Sequence, residues 1–248
     1  MTLATLRAYA PWQLRELVPR AFVSVAMFIV FAGIPVFATM HAQRNNPDFD
    51  PNALGKILKM VYVGVTPLCL TLGAFLFMTR SIAEDRERNY VRFIFSHPVS
   101  PVPFYLNRFV AGLALFTLCF LPVPLVVRYY FGADVPVLGT VVAKLATLVL
   151  IGGLTTLCAA LTAKDGLALI LVYMGTQLLQ QLSAQGILYE WLQPIVRGLP
   201  PVESLKLVVK SLIEGTDWPV TDLVHVFGYG IGLLVAGLLV IRRAPLVR

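Results

Sequence analysis

Residues 60–79 read MVYVGVTPLCLTLGAFLFMT, and residues 109–127 read FVAGLALFTLCFLPVPLVV. Neither run contains a charged residue, and each has about the 20 apolar residues that a helix needs to cross a bilayer. The segment between them, Arg80–Arg108, reads RSIAEDRERNYVRFIFSHPVSPVPFYLNR. Its first half alternates acidic and basic side chains, and three prolines interrupt its second half. Such a segment is poorly suited to lipid, so we expect two membrane spans joined by a charged helix that docks on a soluble partner.

The composition of the whole chain is that of an integral membrane protein. Of its 248 residues, 58% are hydrophobic and only 13% are charged, whereas a soluble domain has about 25% charged residues. Four more runs are long and apolar enough to span, and they contain no Asp, Glu, Lys or Arg and a single histidine, His225: Ala21–Met40, Leu145–Ala163, Gly166–Tyr189 and Leu223–Ile241. The sequence therefore predicts an all-α membrane protein of six spans, forming a single domain over residues 1–248.

The positive charges predict the orientation of the chain. With both termini in the cytoplasm, the inner segments contain twelve Lys and Arg residues and the outer segments eight. This distribution follows the positive-inside rule. The net charge of +7 comes from residues at the ends of apolar runs and not from a continuous basic stripe. The bilayer is therefore the expected partner, and a nucleic-acid-binding function is excluded.

Two segments outside the spans have helical patterns of their own. Residues 1–20 include most of PWQLRELVPRAF, whose apolar side chains share one face, which predicts a short interfacial helix before the first span; a plain charged tail is the alternative. Residues 190–222 form a long outer connection broken by prolines. Within it, Val202–Glu214 has an apolar side, so we expect one or two short helices dipping into the outer leaflet or lying on it.

The fifth and sixth predicted spans contain polar and small residues at helical spacing. Tyr173, Gln177, Gln181 and Gln185 recur every fourth residue and predict one polar stripe. The stripe lines a translocation path, or it makes hydrogen bonds between helices or subunits; the sequence favours neither. In the last span, Gly228 and Gly232 form a GxxxG step, and Gly152 and Gly153 lie in the fourth span; both pairs indicate close helix packing.

No energy source is visible in the chain. It has no GxxxxGK[ST] phosphate loop, so it does not bind ATP by that mechanism, and it has no clustered metal ligands. No Asp, Glu, Lys or Arg lies deep in any predicted span, whereas ion-coupled transporters usually have ionisable groups or broken helices there. We therefore expect neither an enzyme nor a cofactor-binding protein, and energy for transport would come from a partner.

The Arg80–Arg108 segment resembles the permease subunits of type-2 ABC exporters. Their segment between spans two and three has the form I-A-E-x-R-E-x-G-T … P-V-S-R … K/R-F. This chain has Ile82-Ala83-Glu84, Arg86-Glu87, Pro98-Val99-Ser100 and Arg108-Phe109 at the matching positions. It departs from the pattern at Asn89-Tyr90 and Pro101. Residues 201–206 are also loosely similar to the N-P-V-D-x-x-R element of permeases used in nitrous-oxide-reductase maturation.

The resemblance implies a mechanism and a set of partners. Two permeases, identical or related, form the membrane unit in the cytoplasmic membrane of a prokaryote, and two soluble ATPase subunits bind ATP and Mg beneath them. Residues 81–96 are then the coupling helix, whose charged side chains pair with the ATPase: Glu84, Asp85, Arg86, Glu87, Arg88 and Arg92. Residues Val91–Phe95 anchor this helix to the membrane domain.

Two other functions are compatible with parts of the sequence. A membrane mechanotransmitter or scaffold would pass ATPase strokes to an outside partner without transport, and it would keep the same coupling helix. A lipid-modifying membrane enzyme would need clustered Asp, His or Ser residues at an interface, and no such cluster occurs in the sequence. The substrate is not identified by any of these patterns.

Overall fold

The computed structural model describes residues 3–44, 53–79, 82, 85, 100–130, 132–162 and 164–243. Every regular element within these ranges is helical, which confirms the all-α class. The α-helices are α1 (Leu3–Arg44), α2 (Ala53–Met78), α3 (Pro101–Phe120), α4 (Pro122–Leu125), α5 (Val137–Leu161), α6 (Asp165–Ala184), α7 (Gln193–Arg197), α8 (Val202–Glu214) and α9 (Val220–Arg243). A π-helical turn at Val126–Tyr130 extends α4, and a 3-10 turn at Glu190–Leu192 precedes α7.

Six helical segments of the described chain are long and apolar enough to cross a membrane. They are Gln13–Pro35, Gly55–Met78, Pro101–Tyr130, Val137–Leu161, Asp165–Ala184 and Val220–Arg243. The prediction of six spans is therefore confirmed, and the chain has the architecture of a multi-pass membrane protein. The third span is the longest and is composite, because it runs through α3, α4 and the π-helical turn.

Helix α5 forms the centre of the bundle. Of its span, 72% is buried, and it contacts α2, α3, α6, α8 and α9. Its buried threonines need no partner on another helix, because Thr147, Thr155 and Thr156 each donate their hydroxyl hydrogen to the carbonyl four residues earlier. The helix can therefore bury polar side chains on several faces without leaving hydrogen bonds unmade.

The contact between α5 and α9 includes the predicted Gly153, which lies against the Gly230 carbonyl, but on α9 it depends on glycines other than the predicted pair. A Cβ atom added to Gly230 would lie 2.8 Å from the Val149 carbonyl of α5, and one added to Gly237 would lie 2.9 Å from the Leu157 nitrogen. Gly228 and Gly232 are exposed, and a Cβ at either would meet nothing within 4 Å. The prediction of close packing at Gly228 and Gly232 is therefore wrong within this chain, because the α9 face that meets α5 is the one containing Gly230.

The N-terminal segment differs from its prediction as a separate interfacial helix. Residues 3–44 form one helix, which continues through Ala21 without a break. Gln13, Leu17 and Ala21 are all buried at a spacing of one helical turn and face the bundle. The face that packs on the bundle is therefore not the predicted apolar face, because Leu14 and Val18 of that face are exposed. Gln13 makes the contact with α3 through its hydrogen bonds to the Phe104 carbonyl and Asn107.

Helix α8 has the bounds that the sequence predicted, and its apolar face lies against other helices. The buried residues of that face are Val202, Leu205, Val208, Val209, Leu212 and Ile213. They pack on α5, α9 and α2. The helix ends at Gly215, whose φ of +74° is a left-handed conformation that glycine adopts without steric cost. The connection between the last two spans is thus built into the helical bundle.

Candidate functional site

Arg108 on α3 lies between two carboxylates from distant parts of the chain. Its Nη1 donates to Asp85 Oδ2 at 3.0 Å, and its Nη2 donates to Glu16 Oε2 at 2.6 Å. The Arg108 and Asp85 side chains are 4% and 2% exposed, while that of Glu16 is 21% exposed. We call these three residues the inner ion cluster, after the side of the membrane on which the sequence predicts this end of the third span. It connects the segment after α2, the N-terminal helix and the third span at a single point.

The local sequence of α3 explains why Arg108 faces inward. Phe104, Arg108, Gly112 and Phe116 follow one another at intervals of four residues and form the buried face of the helix. One turn from Arg108, the amide of Gln13 donates to the Phe104 carbonyl at 3.3 Å and accepts a hydrogen bond from Asn107 at 2.7 Å. The cluster therefore lies beside a second polar contact that joins the same two helices, α1 and α3.

The segment after α2 contacts the helical bundle at its beginning, ahead of the segment's most highly charged residues. Ile82 is 3% exposed and belongs to the apolar cluster that contains Phe104 and Tyr105. Asp85 is 1% exposed and bonded to Arg108. Residues 83–84 and 86–99 lie outside the described residues, so the predicted anchor at Val91–Phe95 does too. The described contacts place an apolar anchor and an ion pair at the start of the segment.

The pKa of Asp85 reflects its position. Burial raises the pKa of the Asp85 carboxyl from its ordinary value to about 6, the nearby charge of Arg108 lowers it, and the charge of Glu16 raises it. Burial is the largest of these effects and outweighs the attraction of Arg108, so protonation of Asp85 is favoured in the folded state.

Asp85 is therefore expected to make the stability of the protein depend on pH. A carboxyl whose pKa is higher in the folded chain than in the unfolded one, about 3.9, stabilises fully below about pH 4 and loses that effect as the pH rises through about 6. Asp85→Asn, which imitates the protonated carboxyl, should flatten the change in thermal unfolding midpoint across this window. Asp134→Asn is the control, since the Asp134 side chain is 89% exposed. A slope equal to that of the parent protein in Asp85→Asn would contradict the expectation.

A groove of about 930 Å³ separates α2 from α6. Most of its wall is apolar, and Thr79 and Gly166 lie at one end of it and Gln177 and Lys206 nearer the other. Tyr173 is buried in this wall, with its ring packed edge-on to Phe75 at 5.1 Å between centroids. The span of α6 is only 17% buried, so one side of the groove is open to whatever surrounds the chain.

The predicted polar stripe is divided between the groove and the exposed surface. Tyr173 and Gln177 line the groove, whereas Gln181 and Gln185 are exposed and are not part of its wall. Four residues advance a helix by about 400°, so each step turns the stripe by about 40° around the axis. Gln180 lies beside the stripe and makes two hydrogen bonds to the connection before the last span. Its amide donates to the Pro200 carbonyl at 2.9 Å and accepts from the Glu203 backbone N–H at 3.1 Å.

The residues predicted to contact an ATPase are described only in part. Glu84, Arg86, Glu87, Arg88 and Arg92 lie outside the described residues. Asp85 is described, and its carboxylate contacts Arg108 of its own chain. This side chain therefore holds its segment against the bundle, a role that the sequence did not assign to it.

Two buried cations lie within helices long enough to span a membrane. Arg108 and Lys144 lie two turns from the start of the third and fourth of these helices and are 4% and 1% exposed. The predicted spans began at Phe109 and Leu145, one residue after each cation, because freedom from charge was used to define them. The helices therefore begin before the predicted spans and include two buried cations that the prediction left outside.

The comparisons with known proteins add no identity. No family model, no curated protein and no solved structure matches this chain.

Proposed function

We propose that this chain is the membrane-spanning permease subunit of an ATP-driven transporter and that a separate soluble ATPase docks on residues 81–96. The observation that carries the proposal is the inner ion cluster. A segment that receives force from a soluble partner must be joined firmly to the spans that move. The Asp85–Arg108 ion pair joins this segment to the third span, and Glu16 joins the first helix at the same point.

The burial of the cluster supports force transmission more than stability. A buried ion pair gains little over a well-packed apolar contact, because desolvation offsets most of the attraction. Its geometry is nevertheless specific, since a guanidinium that bonds two carboxylates fixes the direction of three chain segments. Such a rigid connection suits segments that must move together, as those at the inner end of a coupled permease do.

The groove between α2 and α6 supports a path shared with a second permease. It is closed on one side by this chain and open on the other, and its wall combines apolar side chains with Tyr173 and Gln177. A second copy or a related permease facing it would complete an enclosed passage. Transport along this passage distinguishes the permease from a mechanotransmitter, which would need no passage.

The proposed docking is tested with a candidate soluble ABC ATPase from the same organism. The two are co-expressed, and Arg86, Glu87 and Arg88 are changed together to Ala. We expect the ATPase to stop co-purifying with the permease, because the change removes three charges of the predicted coupling helix at once.

The matched control for this experiment is Arg242→Ala with Arg243→Ala. These two arginines end α9, and the predicted cytoplasmic position of the C-terminus places them on the same side of the membrane as the coupling helix. If the ATPase binds by the coupling helix, the control retains it. An intact complex with unchanged ATP turnover in the triple variant would refute the docking site, and equal loss in both variants would show a non-specific charge effect.

A further inference from the structure

Two prolines interrupt the third span and free two backbone carbonyls. In an uninterrupted helix, the carbonyl of residue 118 accepts from the N–H of residue 122, and that of residue 120 accepts from the N–H of residue 124. Both donors are missing here, because residues 122 and 124 are prolines. The α3 ladder of hydrogen bonds accordingly ends at Phe120, and Leu121, whose φ of −60° and ψ of −39° are helical, leads directly into α4.

Each freed carbonyl has found a different donor. The Leu118 carbonyl accepts the longer branch, 3.3 Å, of a bifurcated hydrogen bond from the Leu121 N–H, whose shorter branch goes to the Thr117 carbonyl at 3.0 Å. The Phe120 carbonyl accepts from Lys144 Nζ on α5 at 2.6 Å. The lysine is 1% exposed, and its ammonium also lies 5.5 Å from the centre of the Phe120 ring. The carbonyl that Pro124 leaves without a backbone partner is thus satisfied by a side chain of the central helix.

The surroundings of Lys144 explain why this contact is specific. Within the described residues, Lys144 makes no ion pair, and its one hydrogen bond goes to the Phe120 carbonyl. Next to it, the Phe120 ring packs on Phe116 and edge-on to Phe28. Burying an ammonium without a carboxylate is costly, and ionisable residues inside spans usually have a function. An unpaired carbonyl at the break would also be costly, and the lysine removes that second cost.

We propose that Lys144 is a positioning residue that holds a joint in the third span, at Leu121, against the central helix. The inner part of the span, α3, is a rod with the inner ion cluster near one end and the joint at the other. The outer part, residues 122–130, turns at the joint while the Lys144–Phe120 bond fixes where the turn occurs. This inference goes beyond the proposed function. If the chain is a permease, a push on Arg108 moves this rod, and the joint determines how far the outer part follows.

The proposal is tested with a double-mutant cycle in the full-length protein. Lys144→Met removes the donor, and Pro124→Ala restores the backbone N–H that the Phe120 carbonyl lacks. We expect Lys144→Met to lower the apparent unfolding midpoint less in the Pro124→Ala background than in the parent protein. The expected difference between the two decreases is about 5 °C. The solvation cost of the lysine itself is present with and without the proline and cancels in the cycle.

Pro122→Ala is the matched control for the cycle. It removes the neighbouring proline but restores the donor for the Leu118 carbonyl, which Lys144 does not contact. The proposal predicts no coupling between Lys144→Met and Pro122→Ala. Zero coupling with Pro124→Ala would overturn it. Equal coupling with both prolines would overturn it as well. The effect of Lys144→Met would then depend on whether the helix is straight and not on the Phe120 carbonyl.

A distance measurement tests the joint directly. Spin labels at Tyr129 and Leu138, which are both highly exposed, report on the outer part of the span relative to α5. A reference pair at Val110 and Leu161 reports on the inner part; Cys69, Cys119 and Cys158 are replaced by Ala in both. Lys144→Met should broaden the outer distance distribution, leave the inner one unchanged, and lose this effect when Pro124→Ala is added. Unchanged outer distances, or equal broadening of both pairs, would refute the joint.

Discussion

Gly230→Val is expected to abolish a stable fold, whereas Gly228→Val and Gly232→Val in the same helix are expected to leave it intact. A Cβ atom at Gly230 would lie 2.8 Å from the Val149 carbonyl carbon and oxygen and 2.9 Å from the Leu150 Cα. These are backbone atoms of the central helix, so no side-chain rotation relieves the clash. The two helices must move apart along their whole contact, which costs about 3 kcal/mol or more.

The three glycines make an unusually well-matched comparison. Each is in the middle of α9, each receives the same side chain, and valine has the same helix propensity at all three positions. Only the neighbours differ, since nothing lies within 4 Å of a Cβ at Gly228 or Gly232. The measurement is the monodisperse fraction in mild detergent and its unfolding midpoint. Gly230→Val behaving like the other two variants would show that α5 and α9 do not pack as described.

This comparison also shows what the sequence could and could not predict about the fold. Six spans were predictable because length and apolarity are local properties, and Val202–Glu214 was predictable because its apolar face is periodic. The packing glycine was not predictable, because Gly228, Gly230 and Gly232 differ only in which face of α9 meets α5. Which face of α9 meets α5 depends on the arrangement of all the helices and cannot be read from the residues around each glycine.

The inner ion cluster illustrates the same limit at the candidate site. Arg108 and Asp85 were both visible in the sequence, as was Glu16, but 92 positions separate Glu16 from Arg108 along the chain. Asp85 was predicted to pair with an ATPase because it lies in an alternating charge pattern. Only the three-dimensional structure shows that it turns inward. Lys144 was missed for another reason: the span was defined by the absence of charge, so a charge inside it could not be found.

Arg108→Met is expected to lower the unfolding midpoint by about 6–20 °C. The change leaves the Asp85 carboxylate buried and Glu16 partly buried without a cation, and breaking a buried pair from one side costs about 3–5 kcal/mol. In a chain of this size, each kcal/mol corresponds to about 2–4 °C. Most of the cost falls on Asp85, since water partly screens Glu16. Arg128→Met, which removes an exposed arginine, serves as the control and should change little.

A triple variant separates the stability of the cluster from its proposed role in coupling. Arg108→Met combined with Asp85→Asn and Glu16→Gln removes all three charges together, so no carboxylate is left unpaired and most of the lost stability should return. A triple variant as unstable as Arg108→Met alone would show that the loss comes from the packing of the arginine and not from charge. The rescued protein still lacks the ion pairs that join residue 85 to the third span. If those pairs transmit force, it folds and binds the ATPase, yet ATP hydrolysis no longer drives transport. Full transport by the folded triple variant would mean that the segment is held by Ile82 and its apolar neighbours alone.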